Sequence, residues 1–482
     1  MTEAPASAGS RLIFPVVACA ALAACAVGPN YHRAAAPVPQ RFKEAEGWKP
    51  AEPREAASDT NWWSVYGDAT LDGLERQIDV SNQTLKAAEA SWRQAVALVS
   101  SSRAALLPAV AVTGSATRSG GPGKSPSAAG GSTSTVVHPV NEFQAGLDGS
   151  WDIDVWGRIR RTLESNIASA QASAADVAAA RLSAQATLAS DYIGLRIADE
   201  QRQLLDDTVE AYTRALQITQ NQYKVGVVAK ADVITAETQL DGAQSQRVAI
   251  GVTRATLEHA IAVLIGQAPA DFSLPPGKLG ATVPVIPAGV PSTLLERRPD
   301  IAAAERKMAA ANAQIGVAVA GFFPDLTLSG SYGFASNVAA RLIQAPNNLW
   351  SVGANASDTL LDFGSRWAQV RQARAAYDGA VASYRQAVLQ AFQQVEDELA
   401  TLRILEEQDQ IQQKTVQSAN LSLQLTLNQY RAGTVAYTSV VTAQTIALGH
   451  AETLLTIRQS RLAASVALIE ALGGGWSTAT AR

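Results

Sequence analysis

The chain repeats itself at long range, and this duplication limits the folds that it can adopt. Asn-Gln-Tyr-Lys-Val-Gly at 221–226 returns as Asn-Gln-Tyr-Arg-Ala-Gly at 428–433, an offset of 207 residues. Upstream of the stretch between Pro108 and Gly157 the offset is 216, so the first copy carries about nine extra residues there. A repeat of roughly 200 residues is too long for a solenoid. The sequence therefore predicts one unit built twice: helix, two strands, very long helix, turn and helix.

The repeat and the shifts in composition around it divide the chain into six segments. Stretches rich in proline and without hydrophobic periodicity flank the copies, as expected for extended segments. In chain order, the segments are a signal peptide (1–24), an extended N-terminal segment (25–60), the first copy (61–268), a linker (269–291), the second copy (292–474) and a C-terminal tail (475–482).

The N-terminus predicts export and a lipid anchor. An apolar run that begins at Leu12 is too short to span a membrane but suits a secretory signal. The run ends in Leu-Ala-Ala-Cys at 22–25, which resembles a bacterial lipobox, and the resemblance implies cleavage before Cys25 and lipidation of that cysteine. Cys19 would leave with the signal, so the mature chain would contain no disulfide. The alternative is an ordinary cleaved signal followed by a buried structural cysteine.

A change of hydrophobic period from 3.6 to 2 predicts β-strands. Apolar and polar residues alternate throughout 142–155, and Asp148, Asp152 and Asp154 fall on the polar side. We expect these three carboxylates to face a water-filled lumen, because a dry core does not tolerate such a row. Three further stretches alternate in the same way, beginning at Val110, Leu326 and Trp350.

Two very long helices follow the strands of the two copies. Neither 157–223 nor 364–430 contains a proline, and at 1.5 Å per residue each helix would extend about 100 Å. Each run ends in a Tyr-x-x-Gly turn, where Gly226 and Gly433 suit a left-handed helix cap. Helices of this length must pack on each other or on other chains. We expect a helix of about 35 residues to return from each turn.

The strands predict a membrane protein that pools its strands with other copies of itself. After the signal, no apolar run reaches the length of a membrane-spanning helix. Strands span a bilayer only as a closed barrel, and the smallest such barrels have about eight strands. Four strands per chain are too few, whereas three copies would supply twelve. The alternative is that the strands form a soluble sandwich.

Three motifs resemble the outer membrane factors, the TolC-like channel-tunnels, and within them the lipidated NodT-type efflux branch. The motifs are Cys-Ala-Val-Gly-Pro-Asn-Tyr at 25–31, the stretch 289–301 with Arg-Arg-Pro-Asp, and Tyr-Arg-Ala-Gly-Thr at 430–434. The resemblance implies an α+β membrane protein with an internal duplication. It implies a trimeric channel-tunnel in which a 12-stranded outer membrane β-barrel, four strands per chain, continues into a long periplasmic α-helical barrel.

The resemblance also implies a function and partners. The protein would be the passive outer membrane exit duct of a tripartite efflux system for drugs, toxic compounds or metal ions, lipid-anchored with a periplasmic extension. The protein would form a homotrimer in contact with outer membrane lipid. Its protein partners would be a periplasmic adaptor (membrane fusion) protein and an inner-membrane pump, commonly of the resistance-nodulation-division type. One alternative is an outlet for type I polypeptide secretion. Another is a soluble periplasmic coiled-coil scaffold.

By the same resemblance, the two helix turns form the periplasmic tip, which closes the tunnel and meets the adaptor. The position of Val435 is often charged in relatives, so a charge-based constriction is not expected there. A polar latch could form there instead, or these residues could be solvated charges at a turn: Lys224, Lys230, Asp232 and Arg431. The predicted tip and gate residues are Tyr223, Lys224, Gly226, Asp232, Tyr430, Arg431, Gly433, Val435 and Tyr437.

The composition argues against nucleic-acid binding, metal binding and catalysis. The net charge is −4 at pH 7 and there is no basic block, which disfavours a nucleic-acid partner. The four histidines lie far apart, and neither a zinc-ligand spacing nor a phosphate-binding glycine loop occurs. No nucleophile–base motif such as Gly-x-Ser-x-Gly is present. We therefore expect no enzyme, no cofactor and no metal site.

Overall fold

The computed structural model describes residues 26–39, 41–44, 61–120, 139–280, 283–284 and 297–474, with the backbone of two-residue strands at Pro122–Gly123 and Thr135–Val136. Most of these residues are helical. None of the described helices is long and apolar enough to cross a membrane. The α-helices of the described chain are α1 (Ala69–Ser81), α2 (Gln83–Ala104), α3 (Arg158–Lys224), α4 (Lys230–Leu264), α5 (Pro299–Ala320), α6 (Ser365–Arg431) and α7 (Tyr437–Ala471). Short 3-10 helices occur at Trp62–Tyr66, Pro269–Asp271, Ala339–Arg341 and Ala345–Asn347.

The long helices have equal lengths in the two copies. Helices α3 and α6 each contain 67 residues, and their return helices α4 and α7 each contain 35. Both long runs lack an internal proline, which would have removed a helix hydrogen bond and kinked the helix. The architecture expected from the duplication is therefore present within one chain.

The first helix of copy one differs from the expectation. The sequence predicts a single helix over about 71–105, but the structure breaks it at Asn82, between α1 and α2. The Asn82 side-chain oxygen accepts a hydrogen bond from the Leu85 amide at 2.8 Å, and its amide donates to the Leu264 carbonyl at 2.7 Å. Asn82 thus caps the start of α2 and links it to the end of α4. The sequence does not reveal this role, because the residues on both sides of Asn82 favour a helix.

Four long strands form one antiparallel sheet. They are β1 (Ala109–Ser119), β2 (Val140–Asp152), β3 (Asp325–Ser336) and β4 (Asn348–Ser357), and they lie side by side in that order. The central pair, β2 and β3, joins the two copies of the repeat. Strands β1 and β4 are the sheet edges, each with one unpaired side.

The sheet has one apolar and one polar face, because successive strand residues point to opposite sides. One row across all four strands holds Val112, Leu147, Tyr332 and Trp350, and all four side chains are exposed. The adjacent row holds Ala111, Asp148, Ser331 and Ser351 on the other face. The alternation predicted from the sequence therefore produces two chemically distinct surfaces.

The chain folds into two compact units. The first contains the sheet and is built from the N-terminal residues up to Ala34, Arg93–Gln171 and Glu305–Ala382. The second contains the two helix turns and is built from Ala35–Trp92, Ala172–Ala304 and the chain from Ser383 onward. A buried cluster lies within the second unit. It includes Trp63, Leu71, Ile78, Tyr192, Ile261 and Leu462.

Candidate functional site: the two helix turns

The turn between α3 and α4 closes the first long helix with a glycine in the left-handed conformation. Gly226 has a φ of 76°, and its N–H donates to the Tyr223 carbonyl at 2.9 Å. The Val227 N–H donates to the Gln222 carbonyl at 2.9 Å. These paired bonds satisfy carbonyls that the helix end would otherwise leave free.

The turn between α6 and α7 repeats this geometry. Gly433 has a φ of 75°, its N–H donates to the Tyr430 carbonyl at 2.9 Å, and the Thr434 N–H donates to the Gln429 carbonyl at 3.0 Å. At both glycines an added Cβ would meet nothing within 4 Å. The glycines are therefore required by their backbone angle and not by lack of space.

The side chains of the second turn form a packed cluster. Tyr430 is only 8% exposed, and its ring centroid lies 5.4 Å from that of the buried Tyr437. Val440 of α7 and Ala236 of α4 complete the buried group. Burial, and secondly the neighbouring Tyr430, raises the pKa of Tyr437 to about 12. Four partly buried residues pack around the cluster: Leu216, Leu427, Val435 and Val441.

A hydrogen bond that the sequence did not predict links the two turns. The Tyr430 hydroxyl donates to the side-chain oxygen of Gln222 at 2.6 Å. Gln222 lies in the repeated Asn-Gln-Tyr motif, so the repeat marks it, but the contact depends on how the two copies pack. Its counterpart Gln429 instead uses its backbone carbonyl, which accepts from the Thr434 hydroxyl at 3.0 Å.

The predicted polar latch does not form within this chain. Asp232 lies in the first turn of α4, where its carboxylate accepts a hydrogen bond from the Ala229 N–H at 3.3 Å. This contact favours the start of α4, where the helix dipole also attracts a negative charge. Lys224 and Arg431 are exposed and make no ion pair in the part of the chain that the structure describes. Of the predicted tip residues, the structure brings Tyr430, Val435 and Tyr437 together.

The carboxylates predicted to line a lumen divide into two groups. Asp148 and Asp152 lie on the polar face of β2, where they accept hydrogen bonds from the hydroxyls of Thr113 at 2.7 Å and Thr327 at 2.8 Å. Asp154, which the sequence assigned to the same strand, lies beyond its end at Asp152.

Asp154 is part of the start of helix α3. Its carboxylate accepts the backbone N–H groups of Ile159 at 3.0 Å and Arg160 at 2.8 Å, and the Arg160 side chain lies 3.3 Å from it. The alternation of polar and apolar residues extends beyond the strand to Asp154, because a polar residue is favoured before a helix as well as on the polar face of a strand. The assignment of Asp154 as a strand residue is therefore corrected.

Cys25, the predicted lipidation site, lies outside the described residues. Within the described residues, no group of three or more His, Cys, Asp or Glu side chains could hold a metal ion.

Comparison with known proteins identifies the family. The family model described as "Outer membrane efflux protein" matches residues 74–267 and 290–474, one stretch in each copy of the repeat. The chain belongs to the outer membrane efflux protein family. The predicted resemblance to the outer membrane factors is thereby confirmed.

Individual relatives agree with this assignment over nearly the whole chain. The antibiotic efflux pump outer membrane protein ArpC of Pseudomonas putida is 29% identical over 459 residues, with 94% of this chain and 93% of the relative covered. The pyoverdine export outer membrane protein OpmQ of Pseudomonas aeruginosa is 30% identical over 480 residues, with 96% of each covered. The solved structure of the outer-membrane channel OprN superposes with a TM-score of 0.86 at 30% identity, covering 94% of this chain and 100% of that chain.

The likeness to OprN also confirms the predicted fold class at the level of one chain. The two chains share one fold over 94% of this chain, and in this chain that fold combines a four-stranded antiparallel sheet with paired long helices. The duplicated helix turns are therefore a feature of a channel fold and not of an isolated helical scaffold.

Proposed function

We propose that this protein is the passive outer membrane exit duct of a tripartite efflux system for small molecules. The observation that carries the proposal is the two-faced sheet with two open edges, in a chain that belongs to the outer membrane efflux protein family. An exposed apolar face suits lipid, and a polar face suits a water-filled lumen. Open edges are not tolerated in lipid, so the sheet must close with other copies.

Three copies of the chain satisfy this requirement in our proposal. Each contributes four strands, and the resulting twelve-stranded barrel continues into a tunnel of long helices in the periplasm. The exposed β1 and β4 edges of neighbouring copies pair with each other, which leaves no unpaired backbone groups in the bilayer.

The names of relatives support a proposal for the cargo and the partners. Relatives with antibiotic efflux and pyoverdine export in their names favour small molecules over polypeptides as cargo. We propose that a periplasmic adaptor protein docks at the two helix turns and connects the duct to an inner-membrane pump of the resistance-nodulation-division type. Energy comes from the pump, and the duct itself carries out no catalysis.

Two predicted features of the site belong to this proposal. Cys25 is the lipidated N-terminus of the mature protein, and mass spectrometry of the mature chain tests this directly: an unmodified Cys25 would contradict it. The turns around Tyr430 and Tyr437 form the gate, whose closed arrangement is held by the packed cluster and the hydrogen bond to Gln222.

A pair of neighbouring substitutions tests the duct and its sidedness. Leu147→Arg places a charge on the apolar face, and near the bilayer midplane it should cost roughly 2–4 kcal/mol and reduce recovery of folded protein from the outer membrane. Asp148→Arg lies on the other face, so the protein should insert normally and form channels in planar bilayers with reduced preference for cations. Equal effects of the two variants on insertion, or no channel from either the purified wild type or the purified Tyr430→Ala variant, would contradict the proposed function.

A further inference from the structure

The linker between β4 and α6 exposes apolar side chains in a strained backbone. In this linker, residues 358–364, Phe363 is 100% exposed and Leu360 and Leu361 are also exposed. Phe363 is the only non-glycine residue of the described chain with a positive φ, at 52°. A residue with a Cβ holds this conformation only when its surroundings enforce it. Here the Asp362 carboxylate holds the turn, because it accepts the Gly364 N–H at 3.0 Å and the Arg366 N–H at 3.1 Å. The uncovered aromatic ring has no such partner and indicates a missing contact.

The equivalent linker of the first copy, residues 153–157, makes such contacts. The Ile153 N–H donates to the Leu326 carbonyl at 2.8 Å, which extends the pairing of β2 with β3 beyond the strand. Trp156, the counterpart of Phe363, stacks on Phe323 with ring centroids 4.6 Å apart. The Trp156 indole N–H also donates to the Pro324 carbonyl at 2.9 Å. The first linker is thus sealed against the junction between α5 and β3.

The two copies are equivalent in strand register as well as in sequence. The pair Ala109–Ser150 in the first hairpin becomes Asp325–Ser357 in the second when the offsets of 216 and 207 residues are applied. The nine extra residues of the first copy therefore lie between β1 and β2. Because the hairpins match, the junction between β2 and β3 predicts how β4 would meet another β1.

The surface that would cover Phe363 is exposed in the single chain. Applying the offset of 216, Phe323 and Pro324 correspond to Leu107 and Pro108 at the junction between α2 and β1. Leu107 is 67% exposed. Within the described part of one chain β1 pairs only with β2. The other edge of β1, next to Leu107, is therefore available to pair with β4 of a second copy.

We propose that the 358–364 linker packs on the junction between α2 and β1 of a second copy of this chain. Phe363 lies against Leu107 of the partner subunit, as Trp156 lies against Phe323 within the chain. The Leu360 N–H donates to the carbonyl of the partner's Val110, and Thr359 faces the partner's Ala111. Phenylalanine has no side-chain N–H, so this seal is purely apolar, unlike the one at Trp156. The inference rests on the proposed homo-oligomer and adds its register and its aromatic contact.

Disulfide trapping in the outer membrane of intact cells tests the register. The intrachain equivalent of Ala111 and Thr359 is the pair Asp152 and Thr327. The backbones of these two residues do not bond to each other, because the backbone bond belongs to the adjacent pair Ile153 and Leu326, so their Cα atoms should lie about 4.5 Å apart. Ala111→Cys with Thr359→Cys should therefore give covalent dimers and larger products on a non-reducing denaturing gel. Thr113→Cys with Thr359→Cys is shifted by two residues on the same face, and it should remain monomeric.

The trapping experiment needs a positive control for disulfide formation and controls for the native cysteines. Asp152→Cys with Thr327→Cys should close within one chain, and single-cysteine variants should account for Cys19 and Cys25, the only native cysteines. Products from the shifted pair, or none from the 111–359 pair while the 152–327 pair closes, would overturn the proposed register. If the wild type forms channels while the Ala111→Cys, Thr359→Cys double variant gives no cross-linked product, the duct function stands and only this inference is rejected.

Substitutions of Phe363 test the aromatic contact separately from the register. Phe363→Ser should lower the temperature at which the oligomer dissociates in detergent, whereas Phe363→Trp, the residue that the first copy uses, should preserve it. Phe363→Gly relieves the backbone strain but removes the side chain, so it should behave like Phe363→Ser. An unchanged dissociation temperature for both Ser and Gly variants would show that Phe363 does not contact the partner.

Discussion

The two helix turns share a backbone but differ in what their side chains do. Both close with glycines at almost the same φ, 76° and 75°. Yet Tyr223 of the first turn is 45% exposed, whereas its counterpart Tyr430 is 8% exposed. The position of Tyr437 in the second turn is held by Lys230 in the first.

Duplication has thus preserved the turn while the two surfaces have diverged. The second turn is packed by its aromatic pair, and the first presents charge and a capped helix start. If the turns form the gate, as proposed, the second should hold the closed arrangement and the first should be the more easily displaced.

The largest effect should come from truncating the buried tyrosine. Tyr430→Ala removes the ring that packs on Tyr437 and should destabilise the turn by about 3–5 kcal/mol. Tyr223→Ala, the matched change at the exposed position, should stay within about 0.5 kcal/mol. Hydrogen exchange of the backbone amides in the two turns measures both. Similar protection losses in the two variants would remove the distinction between the turns.

The glycines should respond equally at both turns. Gly226→Val and Gly433→Val each force a β-branched residue into positive φ, at a cost of roughly 1–3 kcal/mol. No neighbouring atom adds to this cost at either site. The corresponding Asn variants should be milder, because asparagine tolerates this conformation. Thermal unfolding of the four variants measures the costs, and a much larger effect at one site would indicate a close contact that a single chain does not contain.

A smaller effect should follow from removing one hydroxyl. Tyr430→Phe leaves the side-chain oxygen of Gln222 without its partner and should cost about 0.5–1.5 kcal/mol. Tyr223→Phe should have no measurable effect. Combining Tyr430→Phe with Gln222→Leu should cost less than the sum of the single changes, since both partners are then apolar. Additive costs in this double-mutant cycle would argue against the bond.

The smallest effect should come from the helix cap of the first turn. Asp232→Ala removes the acceptor of the Ala229 N–H and a negative charge at the start of α4, which should cost about 0.5–1 kcal/mol. The charge-dependent share should shrink at high salt. Ser439→Ala, at the equivalent position of the second turn, should be close to neutral. If Asp232→Ala instead opened the channel widely, Asp232 would have to take part in a polar latch between chains.

Much of this fold could be predicted because each element carries a local signal. Period-2 alternation marks β2, the absence of proline marks the 67-residue helices, and the repeat marks Gly226 and Gly433 together. The break at Asn82 could not be predicted, because its cap depends on the distant Leu264 carbonyl. Asp154 was misassigned because polar residues suit both an alternating strand and a helix start.

The site at the two helix turns could be predicted only where its residues carry a local signal. Tyr430 and Tyr437 lie close together in sequence near a turn, so their proximity was accessible. The bond from Tyr430 to Gln222 joins residues 208 positions apart, and no periodicity indicates it. The difference in exposure between Tyr223 and Tyr430 is likewise invisible in a motif that the two copies share.

Single-channel conductance of purified trimers in planar bilayers tests the central claim most directly. We expect the wild type to be mostly closed, Tyr430→Ala to raise conductance, and Tyr223→Ala to leave it unchanged. All three proteins must first be shown to be folded and trimeric. Unchanged conductance in Tyr430→Ala and in substitutions of Val435 would place the gate elsewhere in the tunnel and contradict the proposal that the packed second turn closes it.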